Sequence, residues 1–129
     1  MNIKPLIEFP NGAPRGASLS KYPEGGVKFL IVFVRVRFPM EKAQQVAELF
    51  AKLMSERPVP EGVKHIGPFL RTTLEDGVVA ISLYEVEEGK EVEAFKYAME
   101  LEFQFRVIEG YRYSVDLYYT IEEALSLLA

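Results

Sequence analysis

From residue 27 onward the hydrophobic period of the chain switches back and forth, and the switches mark its elements. Val27 to Phe38 is an almost unbroken series of Val, Ile, Leu and Phe, which predicts a strand. Pro39 ends it. Met40 to Glu56 then repeats at helical spacing. Ala43, Val46, Ala47, Phe50, Leu53 and Met54 share one face, and Glu41, Lys42, Gln45, Glu48 and Lys52 share the other. The residue before a proline avoids the helical region, so this helix stops before Pro58. Pro58 to Gly62 is a loop. Lys64 to Glu75 is a second strand, interrupted by Gly67 and Pro68, which predict a bulge or an edge. Glu75-Asp76-Gly77 is a hairpin signal, and Val78 to Val86 is a third strand.

A charged stretch, Glu87 to Glu91, leads into a second helix running to about Phe105. Its apolar face is Val92, Phe95, Ala98, Met99 and Phe103. Val107 to Tyr119 is a fourth strand, built from strong β-formers. Thr120-Ile121-Glu122-Glu123 has the spacing of a capping box and opens a short final helix through Leu128. The order predicts an α+β domain over residues 27–129. It is a ferredoxin-like βαββαβ antiparallel four-stranded sheet with two helices on one face and a short C-terminal helix. Residues 1–26 are rich in Gly, Pro and Ser and read as an N-terminal arm, with Leu6, Ile7 and Phe9 as its apolar patch.

Alternation along each strand assigns the two sheet faces. In the first strand Leu30, Val32, Val34, Val36 and Phe38 belong under the helices, which leaves Phe29, Ile31, Phe33, Arg35 and Arg37 on the open face. In the third strand Val79, Ile81 and Leu83 are expected under the helices, with Ala80, Ser82 and Tyr84 open. In the fourth, Tyr111, Tyr113, Val115 and Leu117 go inward, leaving Arg112, Ser114, Asp116 and Tyr118 open. In the second, His65, Phe69 and Arg71 are placed on the open face. A slip of one residue inverts any of these assignments.

Composition narrows the function classes. Nineteen acidic against fifteen basic side chains leave a net charge of −4, and no basic footprint for nucleic acid is present. Cysteine is absent, which excludes a disulfide framework, a thiolate nucleophile and a cysteine metal site. The only histidine is His65, so one chain cannot build a two-histidine metal site. The longest apolar run, Phe29 to Val34, is too short to span a bilayer, and the N-terminus lacks a continuous apolar export segment. No membrane partner is expected, and the expected location is cytoplasmic. The phosphate-binding glycine motifs, the nucleophile elbow and the zinc-protease motif are all missing, so no cofactor is called for. Glu85, Glu87, Glu88, Glu91 and Glu93 read as the solvated start of a helix, where negative charge is favourable, rather than as a metal site.

Several segments resemble a family of small uncharacterised proteins in the dimeric α+β barrel superfamily. The carriers are Lys28-Phe29-Leu30-Ile31, Gly62-Val63-Lys64-His65-Ile66-Gly67, Asp76-Gly77-Val78-Val79-Ala80-Ile81 and Ile121-Glu122-Glu123-Ala124-Leu125. The family pattern has an aromatic-His pair after the second-strand glycine; this chain has Gly67-Pro68-Phe69-Leu70 there instead. The resemblance implies a two-fold dimer with a cavity between sheet and helices or between sheets. The superfamily includes cofactor-free monooxygenases, small isomerases, haem-linked enzymes and ligand-sensing domains, and fold alone does not choose among them.

The expectation is therefore a homodimer joined through the open sheet face, binding a small acidic or aromatic molecule there. The candidate ligand-binding residues are Arg35, Arg37, His65, Tyr84, Arg112 and Asp116. Clustered guanidiniums suit a carboxylate or phosphate, although Glu85, Glu87 and Glu109 are also available to pair with them. One alternative is a cofactor-free monooxygenase- or isomerase-like enzyme, with Tyr84, His65 or Asp116 as acid or base. Another is a structural or interaction protein with no ligand.

Overall fold

The computed structural model describes residues 29–128. The expected arm over residues 1–26 lies outside the described residues. Four strands, β1 (Phe29–Phe38), β2 (Val63–Thr73), β3 (Gly77–Glu87) and β4 (Arg112–Tyr119), form one sheet in the order β2-β3-β1-β4. Every neighbouring pair is antiparallel. Three helices accompany them: α1 (Ala43–Glu56), α2 (Glu91–Phe103) and α3 (Ile121–Leu128). Among the described residues no helix is long and apolar enough to cross a membrane.

The central strand is β1, and its two rows behave as alternation requires. Leu30, Val32, Val34, Val36 and Phe38 are all buried, while Arg35 and Arg37 are exposed. The buried row continues across the sheet. Val32 pairs with Tyr84 of β3 and Leu117 of β4; Val36 pairs with Ala80 and Tyr113. Helix α2 covers this face by setting Ala94 and Ala98, both fully buried, against Val32, Val34 and Val36. Small residues let the helix backbone approach the sheet closely, and each buried valine contributes roughly 1.5–3 kcal/mol.

Helix α1 packs beside α2 rather than deep on the sheet. Its Leu53 is buried against Leu101, Phe105 and Ile108, with Tyr97 and Tyr111 common to this cluster and the sheet cluster. Tyr97 also ties the helices together, its hydroxyl donating to the Arg57 carbonyl at 2.8 Å just past the end of α1. Half of the expected capping box forms: the Glu123 amide donates to Thr120 Oγ1 at 3.2 Å and starts α3, while Glu123 Oε1 has no partner among the described residues.

The buried face of α2 is Ala94, Ala98, Leu101 and Glu102, whereas Val92, Met99 and Phe103, expected on its apolar face, are exposed. Three expectations about the strands also need correction. First, the fourth strand begins at Arg112, because residues 104–107 form a 3₁₀ turn and Gly110 turns at φ +84°. Second, β3 is inverted. Val78, Ala80, Tyr84 and Val86 lie under α2, and Val79, Ile81 and Leu83 share the open face with Phe33, Arg35 and Arg37. Each row of β3 mixes apolar and polar residues, with Ser82 on the helix side and Glu85 on the open side, so polarity did not decide; the register against β1 did. Third, His65 pairs with Tyr84 and therefore lies on the helix-covered face. The second-strand bulge falls between Ile66 and Phe69, as expected from Gly67 and Pro68, and shifts the register there. Phe69 and Arg71, beyond the bulge, are on the open face as expected, opposite Ile81 and Val79.

The β2–β3 turn rests on one glycine. Gly77 adopts φ +74°, and a Cβ there would sit 2.6 Å from the Phe38 carbonyl oxygen at the end of β1. Both the backbone conformation and the contact exclude a side chain. Gly77→Ala is expected to destabilise the protein by about 1–3 kcal/mol, read as a lowered denaturant midpoint with an unchanged slope. A midpoint equal to wild type would mean that the turn does not constrain the sheet.

Candidate functional site

The register sorts the open face into rows that run across all four strands. At one end Arg71 of β2 pairs with Val79, Val79 with Arg37 of β1, and Arg37 with Arg112 of β4. The next row is Phe69, Ile81, Arg35 and Ser114. Behind it come Leu83, Phe33 and Asp116, then Lys64, Glu85, Ile31 and Tyr118. Four guanidiniums thus occupy one end of the face, an apolar floor occupies the middle, and carboxylates lie at the other end.

The arginine end is concave. A groove of about 560 Å³ is lined by Arg35, Arg37, Arg71 and Arg112, over a floor of Phe33, Val79 and Ile81. Side chains directly opposite on antiparallel strands have Cβ atoms about 5 Å apart, so Arg37 and Arg112 are a like-charge neighbour pair. Residues two apart on one strand are roughly 7 Å apart, which adds Arg35 to the same patch.

The counter-charge is sparse. Arg37 Nη1 meets Asp76 Oδ1 at 3.1 Å, with both side chains more than two-fifths exposed. Among the described residues Arg35, Arg71 and Arg112 have no carboxylate within ion-pair distance. The alternative partners Glu85, Glu87 and Glu109 make no ion pair with them either. Asp76 is held in place by the turn itself, since its amide donates to Thr73 Oγ1 at 2.7 Å.

Of the six candidate residues, the structure brings Arg35, Arg37 and Arg112 together. Asp116 is on the same face but one row beyond Arg35, opposite Phe33. Tyr84 and His65 are not part of this site. They stack on one another, ring centroids 4.6 Å apart, on the opposite face of the sheet. Tyr84 is 2 % exposed, because its ring fills the space between sheet and α2. Burial there pushes its hydroxyl up from the ordinary phenol value, and burial pushes the His65 imidazole down. His65 Nε2 is buried with no partner among the described residues. Arg71 and Asp76 were not among the candidates. Arg71 already stood on the correct face by alternation. Asp76 is a turn residue, and nothing in strand periodicity aims a turn side chain at a sheet face.

A second polar group is sealed on the helix side. Glu102 of α2 is 7 % exposed and accepts a hydrogen bond from the Tyr111 hydroxyl at 2.5 Å. Burial raises its carboxyl to about 7, and the tyrosine hydrogen bond opposes this only in part. Tyr84, Tyr97 and Tyr111 are the titratable groups coupled to this interior, and burial raises all three. No lysine or arginine neutralises Glu102 among the described residues. Nor does any group of three or more His, Asp or Glu side chains there suit a metal ion.

No protein-family model matches the chain, and no curated protein matches it. Two solved structures align with the chain. A conserved protein from Methanosarcina mazei Go1 aligns with a TM-score of 0.51 and 19% identity, covering 72% of this chain and 93% of its own. A de novo designed protein, Foldit4, aligns with a TM-score of 0.47 and 12% identity, covering 72% and 99% respectively. At 19% identity the likeness to the Methanosarcina mazei protein shows the fold alone, an α+β unit on a four-stranded antiparallel sheet.

The buried carboxyl has a measurable consequence. A group whose value is raised by folding binds its proton more tightly in the folded state, so its contribution is fully present below the unfolded value near 4.5. That contribution is lost as pH rises through about 7. Wild-type stability is expected to fall across this window by an amount on the order of 3 kcal/mol. Glu102→Gln keeps an acceptor for Tyr111 and cannot ionise, so its stability profile is expected to be flatter between pH 5 and 8. Denaturant unfolding at several pH values reads the difference; parallel profiles would show that Glu102 does not titrate in this window.

Proposed function

We propose that the protein binds a small acidic molecule with an apolar or aromatic body in the groove of its open sheet face. The observation that carries this reading is the arginine cluster, four guanidiniums lining one groove with Asp76 as their single ion-paired carboxylate among the described residues. Like charges placed side by side in a sheet are destabilising, and an anion removes that cost while gaining charge-assisted hydrogen bonds. Phe33, Val79 and Ile81 form the adjoining floor and suit the ligand's apolar part.

The finer fold reading supports a dimer. Read from the other edge, the strand order is β4-β1-β3-β2, which is the order of a ferredoxin-like split βαβ sheet. The open face leaves Phe69 exposed and Phe33 and Ile81 half-buried, and a second copy of the sheet is the simplest cover for them. The homodimer of the dimeric α+β barrel type follows from this reading. Its arginine row is the last before the β2–β3 turn, so the anion end stays open at the rim. The enzymatic alternative loses two of its three candidate groups, because His65 and Tyr84 stand on the far face, and Asp116 alone shares the open face.

Calorimetric titration with phenyl phosphate and benzoate tests the binding. Phenyl phosphate is expected to bind at low salt and benzoate more weakly, and both to weaken as salt rises, since the site is exposed and screened. Arg35→Gln and Arg112→Gln are each expected to weaken phenyl phosphate about tenfold or more. Neither should lower thermal stability, because each relieves repulsion. Absence of binding by wild-type protein, or arginine variants that bind as wild type does, would overturn the reading. Sedimentation is expected to give twice the mass of one chain; a monomer would remove the dimer and leave the groove intact.

A further inference from the structure

Among the described residues Asp76 is the one acidic side chain lining the groove, and its position is not accidental to the fold. It sits in the three-residue turn between β2 and β3, one residue before Gly77, whose φ of +74° anchors the turn against the end of β1. The Thr73 hydroxyl accepts its amide at 2.7 Å, and its carboxylate reaches across β3 to Arg37 at 3.1 Å. A carboxylate so placed occupies the kind of position that a ligand's anionic head would take among the guanidiniums.

We infer that Asp76 is a resident counter-ion of the arginine groove, which a ligand anion must displace from Arg37 in order to bind. The inference rests on the binding reading above and adds a residue that sets its affinity. Displacement is cheap in absolute terms. An exposed ion pair of this kind is worth about 0–1 kcal/mol, so a ligand with a dianionic head overcomes it readily. The carboxylate nevertheless acts as a threshold. A weakly acidic or monoanionic molecule gains little by replacing one carboxylate with another, whereas a phosphate monoester, near −2 at neutral pH, gains both charge and acceptors. Glu75, the preceding residue, carries the same charge but makes no ion pair with a guanidinium among the described residues, so it separates a specific contact from general electrostatics.

The experiment compares wild type, Asp76→Asn, Glu75→Gln, Arg37→Gln and the Asp76→Asn/Arg37→Gln double variant. Each is titrated with phenyl phosphate and with inorganic phosphate at low salt. Asparagine keeps the turn chemistry of position 76, and thermal melts check that each variant is folded. Asp76→Asn is expected to tighten phenyl phosphate about two- to fivefold, while Glu75→Gln changes it by clearly less. In the Arg37→Gln background the gain from Asp76→Asn is expected to vanish. Equal gains from Asp76→Asn and Glu75→Gln, or a gain that persists without Arg37, would overturn the displacement and leave the groove as a binding site. Failure of every variant, wild type included, to bind either probe would overturn the binding reading and this inference together.

Discussion

The register of β1 between its two neighbours is the constraint on which everything else depends. β1 pairs along its whole length with β3 and along eight residues with β4, so one strand dictates which side of the sheet three strands present. Because the side-chain period is two, a single decision is propagated across the sheet. Once Val32 and Val34 face α2, Tyr84, Val115 and Leu117 must face it as well, and Arg35, Ile81 and Ser114 must not. The groove is therefore a by-product of core formation. The valines are buried for their own sake, and the arginines alternating with them are delivered to the opposite face as one patch.

This explains what was readable in the chain and what was not. β1 carries one wholly apolar row and one that ends in two arginines, and β4 alternates aromatic with polar residues. Each therefore announces its orientation, and both were assigned correctly. β3 is ambiguous. Ser82 shares a row with Val78, Ala80, Tyr84 and Val86, and Glu85 shares the other with Val79, Ile81 and Leu83, so the pairing partner chooses between them. The tyrosine tip made the open face look right for Tyr84, yet its ring is large enough to fill the space under α2, and that packing prevails. The error at His65 follows from the same inversion, since it pairs with Tyr84. Arg35, Arg37 and Arg112 were found because they lie on the two strands with clear patterns. Asp76 was missed because a tight turn aims its side chains by backbone geometry, and strand periodicity carries no information about that.

The two faces of the sheet treat charge in opposite ways. On the helix side, Glu102 is desolvated, given one strong hydrogen bond from Tyr111, and surrounded by phenol rings. There the surroundings disfavour the charged form, and the group responds by holding its proton toward neutral pH. On the open side the charges sit on exposed guanidiniums, which stay in water and escape desolvation. They remain solvated, extended and mutually repelling. Burial disfavours the charge of Glu102; on the open face Asp76 offsets one guanidinium, and the other three have no carboxylate partner among the described residues.

That difference bears on what the arginine end does for the free protein. Long exposed side chains spread their charges apart and salt screens them, so the repulsion between Arg37 and Arg112 is a small cost that the sheet tolerates. It is also a cost that nothing in the core requires. The buried row of β1 would be satisfied equally well with uncharged polar residues on the other side. The interaction that weakens the empty sheet is the one that an anion would reverse. Any molecule that binds the folded groove and not the unfolded chain stabilises the fold by mass action, in proportion to the logarithm of its concentration over its dissociation constant. On the proposed reading, an anion in the groove would therefore strengthen the β1–β4 pairing. That pairing joins the only edge strand leading into α3 to the rest of the sheet.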